Sequence, residues 1–414
     1  MKGEYNMSFE EINENEFMEF VNNEKTKNFW QTSYMKKRFE MEGKSTYLVG
    51  VKKNKKIIAA SLIVDTNRKF LGKKIFEAYK GFILDYNDKE ILKFMTIEIK
   101  KFLKNKNAME LVIDPYIVNV SRDKDGNIID GVDNRHIKDY LKELGYKTNK
   151  NYPQVKWCYC LDINGKSSDE LFSDMKSTTR NIINKTISKF KLNVRTLKKE
   201  ELNVFKKITS ETSDRRNFHD KTLKYYEDMY DAFGDNVKFQ ICELNCSTYI
   251  DNLNQDNIML NNKINNLSSS KANINKKKEI QSQIEFNNKR LNIANNLKEE
   301  KGNIIPLACA MFILYGDEIV YLFSGSYEEL MDFYGQYRLQ WEIIKYASEH
   351  NYKRYNFYGI EDLSNKEIKE HGIYDFKRGF GGYVEELIGS FILPINFRSK
   401  IYHILKNIKN FFNK

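Results

Sequence analysis

The 52 residues from 249 to 300 contain no proline and no glycine, and 14 of them are asparagine. So long a stretch without a helix breaker is either helical throughout or too polar to fold. The apolar spacing decides. Ile250, Leu253, Leu260, Ile264 and Leu267 hold a heptad seam broken at Asn257, and Ile280, Ile284, Leu291 and Ala294 form a second series beyond the polar run SSSKAN. Two helices of about 20 residues, each ~30 Å long and joined by a polar turn, satisfy both series. Strand-like runs flank them, FQICEL at 239–244 and IIPLACAMFIL at 304–314. The chain is expected to project an antiparallel two-helix arm from between two strands.

The same surroundings recur earlier. TYLVGV at 46–51, a KKNKK turn, IIAASLIV at 57–64, an amphipathic helix at 90–104 and the buried strand ELVIDPY follow in order. After FQICEL come the arm, IIPLACAMFIL, a helix at 334–349 and the strand RYNFYG. Ala59 to Ile113 spans 54 residues and Ala308 to Phe357 spans 49. This order implies a duplicated α/β unit whose second copy carries the arm where the first has a five-residue turn. Other expected elements are a helix starting at Thr32 or Ser33, a loop at 121–127, a short helix at 135–144, a strand at 157–162 and a polar helix at 168–190. Residues 397–414 form an amphipathic helix with five basic and no acidic residues. That helix suits either the core of the first half or an anionic membrane surface. A fully exposed face of that size invites aggregation, so the core is expected.

The net charge of +11 favours an anionic partner: nucleic acid, an anionic membrane or a phosphorylated substrate. Mean hydropathy of −0.64, a polar N-terminus and the lack of a ~18-residue apolar run point to a cytoplasmic protein. The cysteines at 158, 160, 242, 246 and 309 lack metal-ligand spacing and are expected to be reduced and structural. The histidines at 136, 219, 350, 371 and 403 are scattered, which leaves covalent catalysis unsupported. Neither a Walker loop nor a dinucleotide fingerprint is present, and neither cofactor nor metal is expected.

The chemistry concentrates near the C-terminus. RYNFYGI at 354–360 is followed by IYDFKRGFGGY at 373–383, which sets Lys377 between Phe376 and a glycine cluster. Aromatic walls strengthen a cation's hold on developing negative charge. Lys377 is therefore the candidate anchor for substrate phosphate or a tetrahedral oxyanion, with Phe376 beside it. Asp114 ends its strand; it is a candidate proton acceptor, or equally a carboxylate capping nearby N–H groups. Arg378 and Gly381 match half of a coenzyme-A acetyltransferase loop, but Tyr383 stands where glycine or alanine belongs.

FWQT at 29–32, YLVG at 47–50, LVIDPY at 111–116, QWEIIKYA at 340–347, RYNFYG, FKRGF at 376–380 and ILPIN at 392–396 together resemble the Fem-type (FemABX) aminoacyltransferases, especially the FemA/FemB branch. The resemblance implies two acetyltransferase-like (GNAT-like) subdomains, residues 1–165 with 391–414 and residues 166–248 with 301–390, and a coiled-coil arm at 249–300. It implies transfer of an amino acid from aminoacyl-tRNA to the stem peptide of a lipid-linked peptidoglycan precursor, at the inner membrane face. The family's catalytic lysine falls on Lys377, and its phosphate-binding arginine and tyrosine on Lys221 and Tyr225. An N-terminal phosphate-binding lysine falls among Lys36, Lys37 and Arg38. Tyr358 and Arg378 complete the expected substrate-binding set. The competing readings are an acyl-CoA-dependent N-acyltransferase and a non-catalytic coiled-coil module that binds tRNA or protein.

Overall fold

The computed structural model describes residues 7–150, 153–268, 270–363 and 372–412, without the side chains of 271, 272, 407 and 409–412. The first six residues, His371 and the tail phenylalanine side chains at 411 and 412 lie outside the described set. Two mixed sheets organise the chain. The first has the order β1 (Met7–Glu11), β2 (Thr46–Lys53), β3 (Lys56–Phe70), β4 (Lys73–Ala78), β5 (Ala108–Ile113), β16 (Ser390–Pro394) and β8 (Lys147–Asn149). The second has β10 (Asn193–Thr196), β11 (Val237–Asn245), β12 (Ile304–Tyr315), β13 (Glu318–Ser326), β14 (Arg354–Gly359), β9 (Trp157–Asp162), β15 (Tyr383–Leu387), β6 (Val118–Arg122) and β7 (Ile128–Asp133).

The duplication is visible in the hydrogen bonding. β2–β3 and β3–β4 are antiparallel and β4–β5 parallel; β11–β12 and β12–β13 are antiparallel and β13–β14 parallel. A parallel pair needs a crossover, and each copy supplies a helix for it. Lys89–Asn105 is capped by Asp88, which accepts from Ile91 N at 3.0 Å, and it buries Leu92, Met95, Ile99 and Leu103. Gly335–Glu349 buries Leu339, Ile343, Ile344 and Ala347. β4, which the sequence reading passed over, is the counterpart of β13.

The two halves also exchange strands. The C-terminal β16 fills the place beside β5. The reverse exchange was not expected. β9, placed by sequence with the first half, pairs with β14 and β15 of the second sheet. The segment read as a loop at 121–127 is mostly the turn of the β6–β7 hairpin, which joins the same sheet through β15. Strand membership here follows the pairing partner and not chain order, which local pattern cannot reveal.

The arm is a helix pair, Cys246–Asn265 and Lys271–Lys301, the second of 31 residues and so longer than the heptad series implied. The seam break at Asn257 is a clasp. Asn257 Nδ2 donates to Asn288 Oδ1, and Asn287 Nδ2 donates to Asn257 Oδ1, both at 2.9 Å. A polar group in an apolar seam fixes register in this way. The tail helix Arg398–Phe412 overturns the expectation of a core element. Phe397 is 71% exposed, and Ile404 and Leu405 50% each. The first core is already closed by the helices Lys89–Asn105 and Arg135–Glu143, so the tail packs Tyr402 only on a small satellite cluster around Met109 and Val112.

Candidate active site

Two features make the candidate site, a cavity lined by cations and a buried lysine. The cavity, about 410 Å³, lies where the helix Ser33–Met41 meets the helix Leu223–Phe233 and the β3–β4 ribbon. Thr32 caps the first helix, accepting from Met35 N at 3.2 Å. Successive residues then project about 100° apart, so three adjacent cations face three ways. Lys36 Nζ is paired with Glu14 and Glu40 at 2.8 and 2.9 Å. Lys37 Nζ donates to the Asp231 carbonyl at 2.7 Å. Arg38 alone of the three lines the cavity. It is buried, its guanidinium sits 4.2 Å from the Tyr225 ring centre, and it pairs with Glu42 at 2.7 Å. Lys221 Nζ lies 5.3 Å from the same ring. Burial, and then Arg38 nearby, push the Lys221 ammonium down from its usual range. Burial lifts the Tyr225 phenol to about 12. Lys44 and Arg68 also line the cavity, giving four cations against Glu42 and Glu77. Sequence reasoning missed both, and neither has a local signal. Arg68 reaches the cavity only because β3 runs on to Phe70.

Lys377 sits on the short helix Gly372–Arg378 and is 5% exposed. Its Nζ donates to the Gly359 carbonyl and lies 5.8 Å from the Tyr321 ring centre. Burial lowers its pKa to about 8. The sequence itself fixes this helix. Glu361 accepts from Ile373 N and Tyr374 N at 3.2 and 3.1 Å, supporting its start with a carboxylate. Phe376 packs against Tyr337, with ring centres 4.9 Å apart. Past the helix, Gly382 has φ +106°, and a side chain there would strike the Cys160 carbonyl.

Tyr358 joins the two features. Trp30 Nε1 donates to its hydroxyl at 3.3 Å, and the hydroxyl donates to Gln154 at 3.0 Å; Trp30 and Gln154 both line the cavity. The next residue is Gly359, which holds Lys377. Besides Lys36 and Lys37, two more expected residues are placed elsewhere. Arg378 pairs with Asp125 in the β6–β7 turn. Asp114 is 2% exposed, lies 3.0 Å from Lys80 Nζ and accepts from Lys80 N at 2.9 Å. Burial raises the Asp114 pKa, while Lys80 opposes the shift. Lys80 Nζ also donates to the Val155 carbonyl at 2.7 Å, so the pair braces the segment carrying Gln154. Asp114 thus meets Lys80 through both its backbone N–H and its ammonium group, contacts a capping carboxylate would make.

All five cysteines are free and buried, as expected. No cluster of metal-ligating side chains and no helix long and apolar enough to cross a membrane occurs among the described residues.

The chain compares closely with known proteins. A model of the FemAB family matches residues 12–407. Aminoacyltransferase FemA of Staphylococcus epidermidis is 32% identical over 97% of this chain and 99% of its own length. That of Staphylococcus aureus is 30% identical over 94% and 96%. Among solved structures, FemX superposes with a TM-score of 0.76 at 22% identity, covering 96% of this chain and 99% of FemX. A tandem GNAT protein from the clavulanic acid pathway gives 0.52 at 8% identity, over 94% and 99%, which agrees with two acetyltransferase-like units. With the motifs spread over nearly its whole length, the chain belongs to the FemAB family and is an aminoacyltransferase.

Proposed function

We propose that the protein transfers an amino acid from aminoacyl-tRNA to the stem-peptide amine of a lipid-linked peptidoglycan precursor, building the interpeptide bridge at the inner face of the membrane. The observation that carries this reading is the pairing of the Arg38–Lys221–Tyr225 cavity with buried Lys377 through Tyr358. A pyrophosphate is held by clustered cations and hydrogen-bond donors, which the guanidinium, ammonium and phenol here can supply. An acyl transfer needs a cation where the oxyanion develops. In the step we propose, the acceptor amine attacks the aminoacyl ester carbonyl. A C–N bond forms, negative charge builds on the carbonyl oxygen beside the Lys377 ammonium, and the ester C–O bond breaks. The proton lost by the amine ends on the departing ribose hydroxyl.

Lys377 is the electrostatic anchor in this scheme, with Phe376 shaping its apolar wall. Arg38, Lys221 and Tyr225 hold phosphate, and Tyr358 aligns the two. Lys36 and Lys37 are committed elsewhere, and Arg378 steadies the lysine helix. The division into residues 1–165 with 391–414, 166–248 with 301–390, and 249–300 serves as the working domain scheme, with β6, β7 and β9 reassigned to the second unit. Incubation with a lipid-linked muropeptide and a mixed pool of charged tRNAs, read by product mass, tests the reaction. A mass increase by one aminoacyl residue is expected. Turnover with coenzyme-A thioesters in place of charged tRNA would replace this reading, and so would full function in a chain lacking the globular part.

A further inference from the structure

The tail helix presents an apolar face that no other described residue covers. Its other side is fixed: Ser399 Oγ donates to buried Glu110 at 2.6 Å, His403 Nε2 lies 2.9 Å from the same carboxylate, and the Tyr402 ring packs at a tilt against Phe70, ring centres 5.2 Å apart. Opposite this anchor, Ile401, Ile404, Leu405 and Ile408 are between 38% and 50% exposed. At about 100° per residue, Lys400 falls on one flank of that face and Arg398 on the other. Arg398 Nη1 donates to the Leu71 carbonyl at 3.0 Å, which ties the helix to the tip of the β3–β4 ribbon. Leu71 is 62% exposed there, between Lys69 and Lys73.

Apolar side chains bordered by cations, with no acidic residue in the tail, fit an anionic lipid surface better than RNA, which would leave the leucine and isoleucines unused. We infer that the tail helix and the β3–β4 tip form one docking surface for an anionic bilayer. The ribbon gives the surface a purpose. Three residues before Leu71 is Arg68, which lines the anion cavity. A bilayer against the tip therefore sets the cavity near the headgroups, where the pyrophosphate of a lipid-linked acceptor lies. This placement rests on the reading of the acceptor as lipid-linked; the docking itself does not.

The test is flotation of the full chain with vesicles of phosphatidylglycerol and phosphatidylcholine, against phosphatidylcholine alone. Binding to the anionic vesicles is expected, weakened by 0.5 M salt. Ile404→Glu with Leu405→Glu should lower it at least tenfold without shifting the melting temperature. Lys69→Glu with Lys400→Glu should lower it on anionic vesicles only. The first pair should also cut kcat/KM at least tenfold for acceptor in vesicles while leaving a water-soluble acceptor unaffected. Equal flotation of wild type and Ile404→Glu/Leu405→Glu overturns the inference. So does loss of tRNA binding or self-association in that variant when the wild type does not float. Absence of turnover with the soluble acceptor would instead sink the proposed reaction and leave the flotation result standing.

Discussion

Lys377 donates its ammonium hydrogen bond to the carbonyl of Gly359, one residue beyond the tyrosine whose hydroxyl meets Trp30 and Gln154 at the anion cavity. One strand end thus serves both parts of the site. The carbonyl is a weak partner for a cation lacking most of its hydration. Such an ammonium can exchange a neutral acceptor for an anionic one, and that exchange is stronger in the transition state than in the ground state.

Lys377→Met should lower kcat by about 10²–10³, in line with loss of one preorganised donor. The wild-type rate should fall as pH rises through about 8, where the lysine loses its proton. Stability runs the other way. The folded chain binds this proton less tightly than the unfolded chain, whose lysine titrates near the usual 10.5. Below about 8 the fold carries a penalty of about 3 kcal/mol, relieved as pH rises from about 8 to 10.5. Lys377→Met should therefore melt higher than wild type at pH 7, with the gap closing toward pH 10.5. A melting temperature below wild type at pH 7 would refute the buried, strained cation.

Arg38→Ala should raise KM for a phosphate-bearing acceptor about 10–100-fold with a smaller effect on kcat, because a desolvated cation pairing with phosphate is worth about 1.5–3 kcal/mol. Lys36→Ala and Lys37→Ala should stay within about twofold, since their ammonium groups are spent on Glu14, Glu40 and Asp231. Steady-state kinetics of the three variants side by side checks this. An effect of Lys36→Ala matching that of Arg38→Ala would move the phosphate site.

Much of this was legible in the residues. The arm and the duplicated unit follow from heptads, turn signals and spacing, all local patterns; the return of residues after 390 to the first sheet came only from the family resemblance. Lys377 stood out through the family resemblance, since a lysine beside glycines is by itself as much a turn as a site. What stayed hidden is what depends on distant partners. Arg38 could not be chosen over Lys36 and Lys37 without knowing where Glu14 and Tyr225 lie. Arg68 joins the cavity only through the length of β3. β9 looks like any alternating strand until β14 is beside it. The tail's amphipathic pattern was plain, but the side it faces depends on which helices had already closed the core.

Asp114 and Lys80 offer a test of brace against base. Asp114→Asn leaves Lys80 buried without its counter-ion and should cost about 3 kcal/mol of stability and much of the activity. Replacing both, Asp114→Asn with Lys80→Met, removes the orphaned charge. If the pair is a brace, the double variant should recover stability and a large part of kcat relative to the single one. A double variant as inactive as Asp114→Asn but fully folded would make Asp114 the proton acceptor.

Arg354 joins three strands of the second sheet through one charge cluster. Its guanidinium meets Glu318 at 2.9 Å and Glu385 at 2.8 Å, with the Tyr116 hydroxyl at 3.1 Å. Burial raises the Glu318 pKa, and the arginine opposes that shift. Tyr116 comes from the segment leaving β5, so this cluster ties the end of the first unit to the three strands that hold Gly359 and Tyr383. Arg354→Met leaves two carboxylates facing each other in a dry site, and should cost about 3–5 kcal/mol in urea unfolding. Adding Glu318→Gln and Glu385→Gln removes the repulsion and should restore most of that loss. Because Lys377 is held by Gly359 at the far end of the same strand, the single variant should also lose transfer activity at temperatures below its unfolding transition. Unchanged urea midpoints for Arg354→Met would show that the cluster contributes nothing to the fold.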